Sequence, residues 1–162
     1  MKTITDDLSP ELEALLPQTY RILRSSGLAV HEAVYRIVLT GSRGLNGAPR
    51  VDSDIDLTLL VDPAALARAR NRDSLLRRVV SLTLESWRSP CALDTAAAFD
   101  KQGCGLQCFR LRSCAELQCD RVRPDCFGLY KIQKGFDGFV PDVGLLIQKA
   151  YPMLSIWERQ VT

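Results

Sequence analysis

Thr40-Gly41-Ser42-Arg43-Gly44 and, beyond it, Val51-Asp52-Ser53-Asp54-Ile55-Asp56-Leu57 decide how this chain reads. An apolar run ends in a glycine-serine turn, and eleven residues separate Ser42 from Asp54. Residues i and i+2 of a strand share a face, so Asp54 and Asp56 present two carboxylates together while Ile55 and Leu57 point into a core. Two neighbouring like charges repel unless a cation offsets them, and oxygen donors suit a hard divalent ion. A turn with exposed backbone N–H groups beside that ion holds phosphate oxygens. Gly41 lets the chain turn closely there, Ser42 adds a hydroxyl, and Arg43 offers a guanidinium for bidentate oxygen contacts. These parts predict a metal-dependent phosphoryl or nucleotidyl transfer site.

Blander readings account for less. Asp52, Asp54 and Asp56 have the spacing that opens a calcium loop, but positions six and twelve of that loop are Leu57 and Pro63 instead of glycine and glutamate. Gly41, Gly44 and Gly47 recur every three residues and no Gly-Lys-Ser/Thr occurs, which excludes dinucleotide and P-loop motifs. What remains is a glycine-rich hairpin loop whose aspartates face solvent on an edge strand.

Gly41-Ser42-Arg43, the gap, and Ser53-Asp54-Ile55-Asp56-Leu57 also resemble the signature of the nucleotidyltransferase superfamily related to DNA polymerase beta. The small bacterial and archaeal minimal nucleotidyltransferases are the nearest likeness. The resemblance implies a small mixed sheet flanked by helices, and transfer of a nucleoside monophosphate from an NTP to an acceptor hydroxyl with release of pyrophosphate. It implies two Mg²⁺ ions held by Asp54, Asp56 and a third carboxylate on a later strand. Asp94 is the first candidate for that position and Asp100 the second. Small members of the family often pair with a helical protein in antitoxin-type systems, so a helical partner or a homodimer is a further implication. A non-catalytic nucleotide- or partner-binding module of the same fold is the alternative.

The rest of the sequence is consistent with one domain spanning 1–162. That length buries roughly 68–70% of its unfolded surface without staples. The chain is 46% hydrophobic and 25% charged with a net charge of +2, so its bulk charge does not call for nucleic acid. Five arginines crowd Arg68–Arg78, and a solvated helix face explains them better than RNA contact. The sequence has no apolar run of membrane-spanning length, and its N-terminal residues lack the apolar core of a signal peptide, so the cytoplasm is the expected compartment. Six cysteines (91, 104, 108, 114, 119 and 126) form no Cys-x-x-Cys and lie far from the sole histidine, His31. They read as small buried hydrophobes before they read as zinc ligands.

Ser9-Pro10-Glu11 predicts a helix start, with a break near Pro17 and an end at Gly27. Strands are expected over Val34–Leu39, Asp54–Val61, Cys91–Phe99 and Leu106–Leu111. Helices are expected over Ala64–Trp87, at Ser113–Glu116 and over Pro141–Arg159. The stretch Phe127–Phe139 has no clear periodicity. Its Lys131 and Lys134 fit either the nucleotide side of a cleft or a solvated face.

Overall fold

The computed structural model describes residues 2–110, 126–141 and 152–159. The chain opens with a short strand, β1 (Lys2–Thr3), followed by helices α1 (Pro10–Leu15) and α2 (Pro17–Arg24). Ser9 caps α1 by accepting the Glu11 N–H at 3.3 Å, and Pro10 takes the first helical position, where no N–H is needed. Pro17 has no N–H to continue the ladder, so the expected break falls at Leu16. β2 (Ala29–Val30) pairs with β1, and β3 (Val34–Thr40) and β4 (Ile55–Val61) form from the β-branched runs.

The single helix expected over Ala64–Trp87 is in fact two, α3 (Pro63–Arg68) and α4 (Arg72–Ser86). Asn71 restarts the chain by accepting the Ser74 N–H at 3.0 Å, a local bond that competes with continuing the helix. β5 (Leu93–Asp100) is a strand as expected. The strand expected over Leu106–Leu111 does not form at Leu106–Arg110, and Leu111 lies outside the described residues. Leu106 sits at φ 53 and leads into a 3-10 turn at Gln107–Arg110, and a residue in the left-handed region interrupts extended chain.

The aromatic and glycine-rich stretch forms a hairpin of β6 (Phe127–Lys131) and β7 (Gly138–Val140). The expected last helix is overturned over Leu154–Glu158, which is a strand, β8. There Leu154 and Ile156 pack in the main core and Ser155 does not, the alternation of a strand, which ends at Trp157, also in that core. Residues 142–151 of that prediction, and the short helix at Ser113–Glu116, lie outside the described residues.

Six strands form one mixed sheet in the order β7-β6-β5-β4-β3-β8. Only β4 and β5 run parallel, joined through α3 and α4. This is a mixed α+β architecture. The main core lies between one sheet face and the helices, joining Ile37, Leu39, Leu57 and Leu59 to Leu12, Leu23, Leu76 and Val79. A smaller cluster of Val38, Leu60, Ala98, Phe127, Leu106 and Phe109 covers the other face. By strand alternation Asp56, Asp94 and Lys131 belong to that second face. Among the described residues no helix is long and apolar enough to cross a membrane.

Candidate active site

The parallel pairing of β4 with β5 sets Asp56 directly beside Asp94. Neighbouring strands lie about 4.8 Å apart, so the two carboxylates share one patch of the sheet. Asp54, two residues before Asp56, adds a third carboxylate at the same end. Asp100 sits at the far end of β5 and serves the next turn, accepting N–H groups of Gln102 and Gly103, both at 3.0 Å, and of Gly105 at 2.6 Å. Those bonds hold its carboxyl below the usual range despite partial burial, which acts the other way. The geometry therefore groups Asp94, and not Asp100, with Asp54 and Asp56.

Two lysines offset this charge. Lys131, at the end of β6, forms an ion pair with Asp94, and Lys134 pairs with Asp54 at 3.0 Å. Lys134 stands at φ 58 and Gly135 at φ 86, and the Phe136 N–H donates to Gln133 O at 3.0 Å. Positive φ at both central residues is the geometry of a type I′ hairpin turn. The turn thus carries the Lys134 ammonium to the carboxylates. Asp56 has the least offset charge of the three. Burial first, then the charge and hydrogen bond of Asp94 and the charge of Asp54, push its pKa from 3.8 to about 6, against a lowering by Lys131.

The glycine-serine turn abuts this cluster. Gly41 has φ +77, and a Cβ there would overlap the Asp56 carboxylate. Ser42 is half-buried, and among the described residues its hydroxyl has no hydrogen-bond partner. Arg43 is occupied differently from the expectation: its Nε donates to Ser53 O at 2.7 Å and its terminal nitrogen to Arg50 O at 3.1 Å. Its own carbonyl accepts the Thr19 hydroxyl at 2.7 Å. Arg43 therefore staples the loop that delivers Asp54.

Gln133, which no sequence pattern singles out, holds the third carboxylate. Its Oε1 accepts the Thr95 N–H at 3.0 Å and its Nε2 donates to Leu93 O at 2.9 Å, the two peptide groups that flank Asp94. The side-chain amide takes over where the β5–β6 ladder stops at Ala97 and Tyr130. Gln133→Leu is expected to leave both backbone groups unpaired and to destabilise the fold by roughly 1–3 kcal/mol in urea denaturation. Gln133→Glu keeps only the bond to the Thr95 N–H and is expected to fall between.

Carboxylate oxygens are the donors a hard divalent cation takes, and Asp54, Asp56 and Asp94 bring three such groups to one end of the sheet with two ammonium groups beside them. In this arrangement the lysines occupy the cationic role. Among the described residues no three His, Cys, Asp or Glu side chains converge on a single ion position. Cys91, Cys104 and Cys126 are half-buried free thiols, Cys91 donating to Ser53 O at 3.3 Å, while Cys114 and Cys119 lie outside the described residues.

No protein-family model, curated protein or solved structure matches this chain.

Proposed function

We propose that the chain is a nucleotidyltransferase of the polymerase-beta-related type, moving a nucleoside monophosphate from an NTP to an acceptor hydroxyl and releasing pyrophosphate. The observation that carries this reading is the meeting of Asp54, Asp56 and Asp94 at one sheet end, with the Gly41–Ser42 turn packed against Asp56. The mixed sheet flanked by helices supports a nucleotidyltransferase-like fold. Asp54, Asp56 and Asp94 would hold Mg²⁺, which when bound neutralises triphosphate charge and lowers the pKa of the attacking hydroxyl.

The chain's own groups supply positioning. The Ser42 hydroxyl and neighbouring turn donate to phosphate oxygens, and Gly41 keeps that turn close to Asp56. Lys131 and Lys134, paired with Asp94 and Asp54, would present two ammonium groups to the triphosphate. Gln133 keeps Asp94 level with Asp56.

The same lysine pairs favour one second reading, a binding module of this fold whose carboxylates are neutralised internally and take no metal. Calorimetry with Mg²⁺ and each NTP separates the two. Micromolar binding that requires Mg²⁺ and disappears in Asp54→Asn/Asp56→Asn is expected for the enzyme. Nucleotide binding indifferent to Mg²⁺ and to both substitutions would establish the module instead.

A further inference from the structure

A polar cavity of about 520 Å³ lies at the end of β4 opposite the carboxylate cluster. Asp62 is on its wall, six residues beyond Asp56, or about 20 Å of strand. The other charged walls come from separate parts of the chain: His31 and Glu32 ahead of β3, Arg68 at the end of α3, Arg78 in α4, and Arg159 after β8.

The fold sorts the arginine-rich segment. Arg72 lies over the Phe99 ring at 5.3 Å, and Arg77 lies over Tyr130 at 5.7 Å and pairs with Asp137 at 3.0 Å. Those two guanidinium groups have structural work. Arg68 and Arg78 are exposed, line the cavity from two different helices, and pair with no carboxylate among the described residues. Asp62 does not offset them, because one of its oxygens accepts the Ala64 N–H at 2.9 Å and the other meets Arg159 at 3.2 Å.

His31 completes the set. The Ala33 N–H donates to its Nδ1 at 3.0 Å, so in the neutral ring the proton sits on Nε2 as a donor. Burial first, and then the charge of Arg78, hold its pKa below the ordinary 6.5, which keeps the ring neutral and places Arg78 near it. Glu32 adds an acceptor at the rim. The floor is aliphatic, from Ala33, Ala65, Ala69 and Leu75.

We propose that this cavity binds a small phosphate ester, its phosphate held by Arg68, Arg78 and the His31 Nε2–H and a hydroxyl or amino group of the ester held by Glu32. Forked guanidinium groups with an imidazole N–H match a phosphate's several acceptor oxygens. A carboxylate acceptor beside them favours an ester with donors of its own over a bare anion. The separation from Asp56 makes this site independent of the carboxylate cluster.

The sole histidine makes the test direct, since the imidazole C–H signals of a ¹H–¹³C spectrum come from His31 alone. The full chain, in EDTA, is titrated with inorganic phosphate and then with ribose 5-phosphate as a probe ester. Saturable movement of the His31 signals is expected with both, tighter for the ester. Arg68→Gln/Arg78→Gln is expected to weaken ester binding at least tenfold. Its thermal midpoint should not move, because neither side chain has a bonding partner among the described residues. Asp54→Asn/Asp56→Asn is expected to bind as the parent does, and Glu32→Gln to lose the preference for the ester over phosphate. Non-saturating drift, unchanged affinity in the arginine double variant, or equal affinity for phosphate and ester would overturn the assignment. An RNA oligonucleotide that moves His31 where ribose 5-phosphate does not would overturn it in favour of backbone contact.

Discussion

Asp56→Asn is expected to lower Mg²⁺-dependent pyrophosphate release by roughly three orders of magnitude while making the metal-free fold more stable above pH 6. The loss follows from removing the carboxylate at the centre of the cluster, where transition-state charge is offset in a partly buried site. The gain follows from the raised pKa. In the native fold Asp56 titrates near 6, against an ordinary 3.8, so ionising it costs more folded than unfolded. That cost is absent below about pH 4, grows between pH 4 and 6, and is complete above 6, where, with solvent screening of the part-exposed carboxylate, it amounts to on the order of 1 to 2 kcal/mol. Asparagine carries no charge to repel Asp94 and Asp54 and can donate to Asp94. Urea denaturation in EDTA at pH 4 and pH 7.5 is the measurement: the variant should match the parent at the lower pH and exceed it at the higher. A variant less stable than the parent at pH 7.5 would refute the electrostatic account, whatever happens to turnover.

Gly41→Ala is expected to cut nucleotide transfer at least a hundredfold and to cost the fold more than its backbone strain alone. Gly41 has φ +77, which costs an alanine roughly 1 kcal/mol, and the new methyl would overlap the Asp56 carboxylate. Either the turn or Asp56 has to move, and small misplacements near reacting groups cost about 10²-fold. Gly103 separates the two contributions. It has φ +72 with nothing within 4 Å of an added Cβ, so Gly103→Ala carries strain without overlap. The difference between the two variants in thermal unfolding reports the contact with Asp56. Equal losses of stability, with turnover intact in Gly41→Ala, would show that the turn does not constrain the carboxylate.

Much of this was legible along the chain because it depends on neighbours in sequence. Ser9 and Pro10 start α1 by local hydrogen bonding and a preset φ, and Pro17 breaks the ladder for the same kind of reason. The alternation of Asp54-Ile55-Asp56-Leu57 is enough to separate the two faces of β4, and both apolar residues are buried in the structure. Asn71 shows the limit of periodicity. The apolar stripe continues across it, yet its side-chain acceptor restarts the helix, and only three residues, Ala69–Asn71, mark the join.

At β8, leucine, isoleucine and tryptophan at mixed spacing fit a helix face as well as a strand, and only pairing with β3 decides between them. The β6–β7 hairpin has no clear signature in sequence, because its turn needs positive φ at a lysine, which is not a turn residue by composition. Arg43 had the chemistry of a phosphate contact and is spent on the carbonyls of Ser53 and Arg50, which are nearby in sequence but reachable only once the loop has folded back.

Strand period and turn chemistry act over a few residues, so the carboxylate pair, the turn that precedes it and the alternation that puts Asp54 and Asp56 together can all be read along the chain. Folding sets Asp94 level with Asp56, brings Gln133 and two lysines from one hairpin to the cluster, and gathers Arg68, Arg78 and His31 around one cavity. Those contacts join residues 37 or more positions apart or lie on separate helices. They come from strand order and register, which are set by which faces bury together, and no local pattern encodes that.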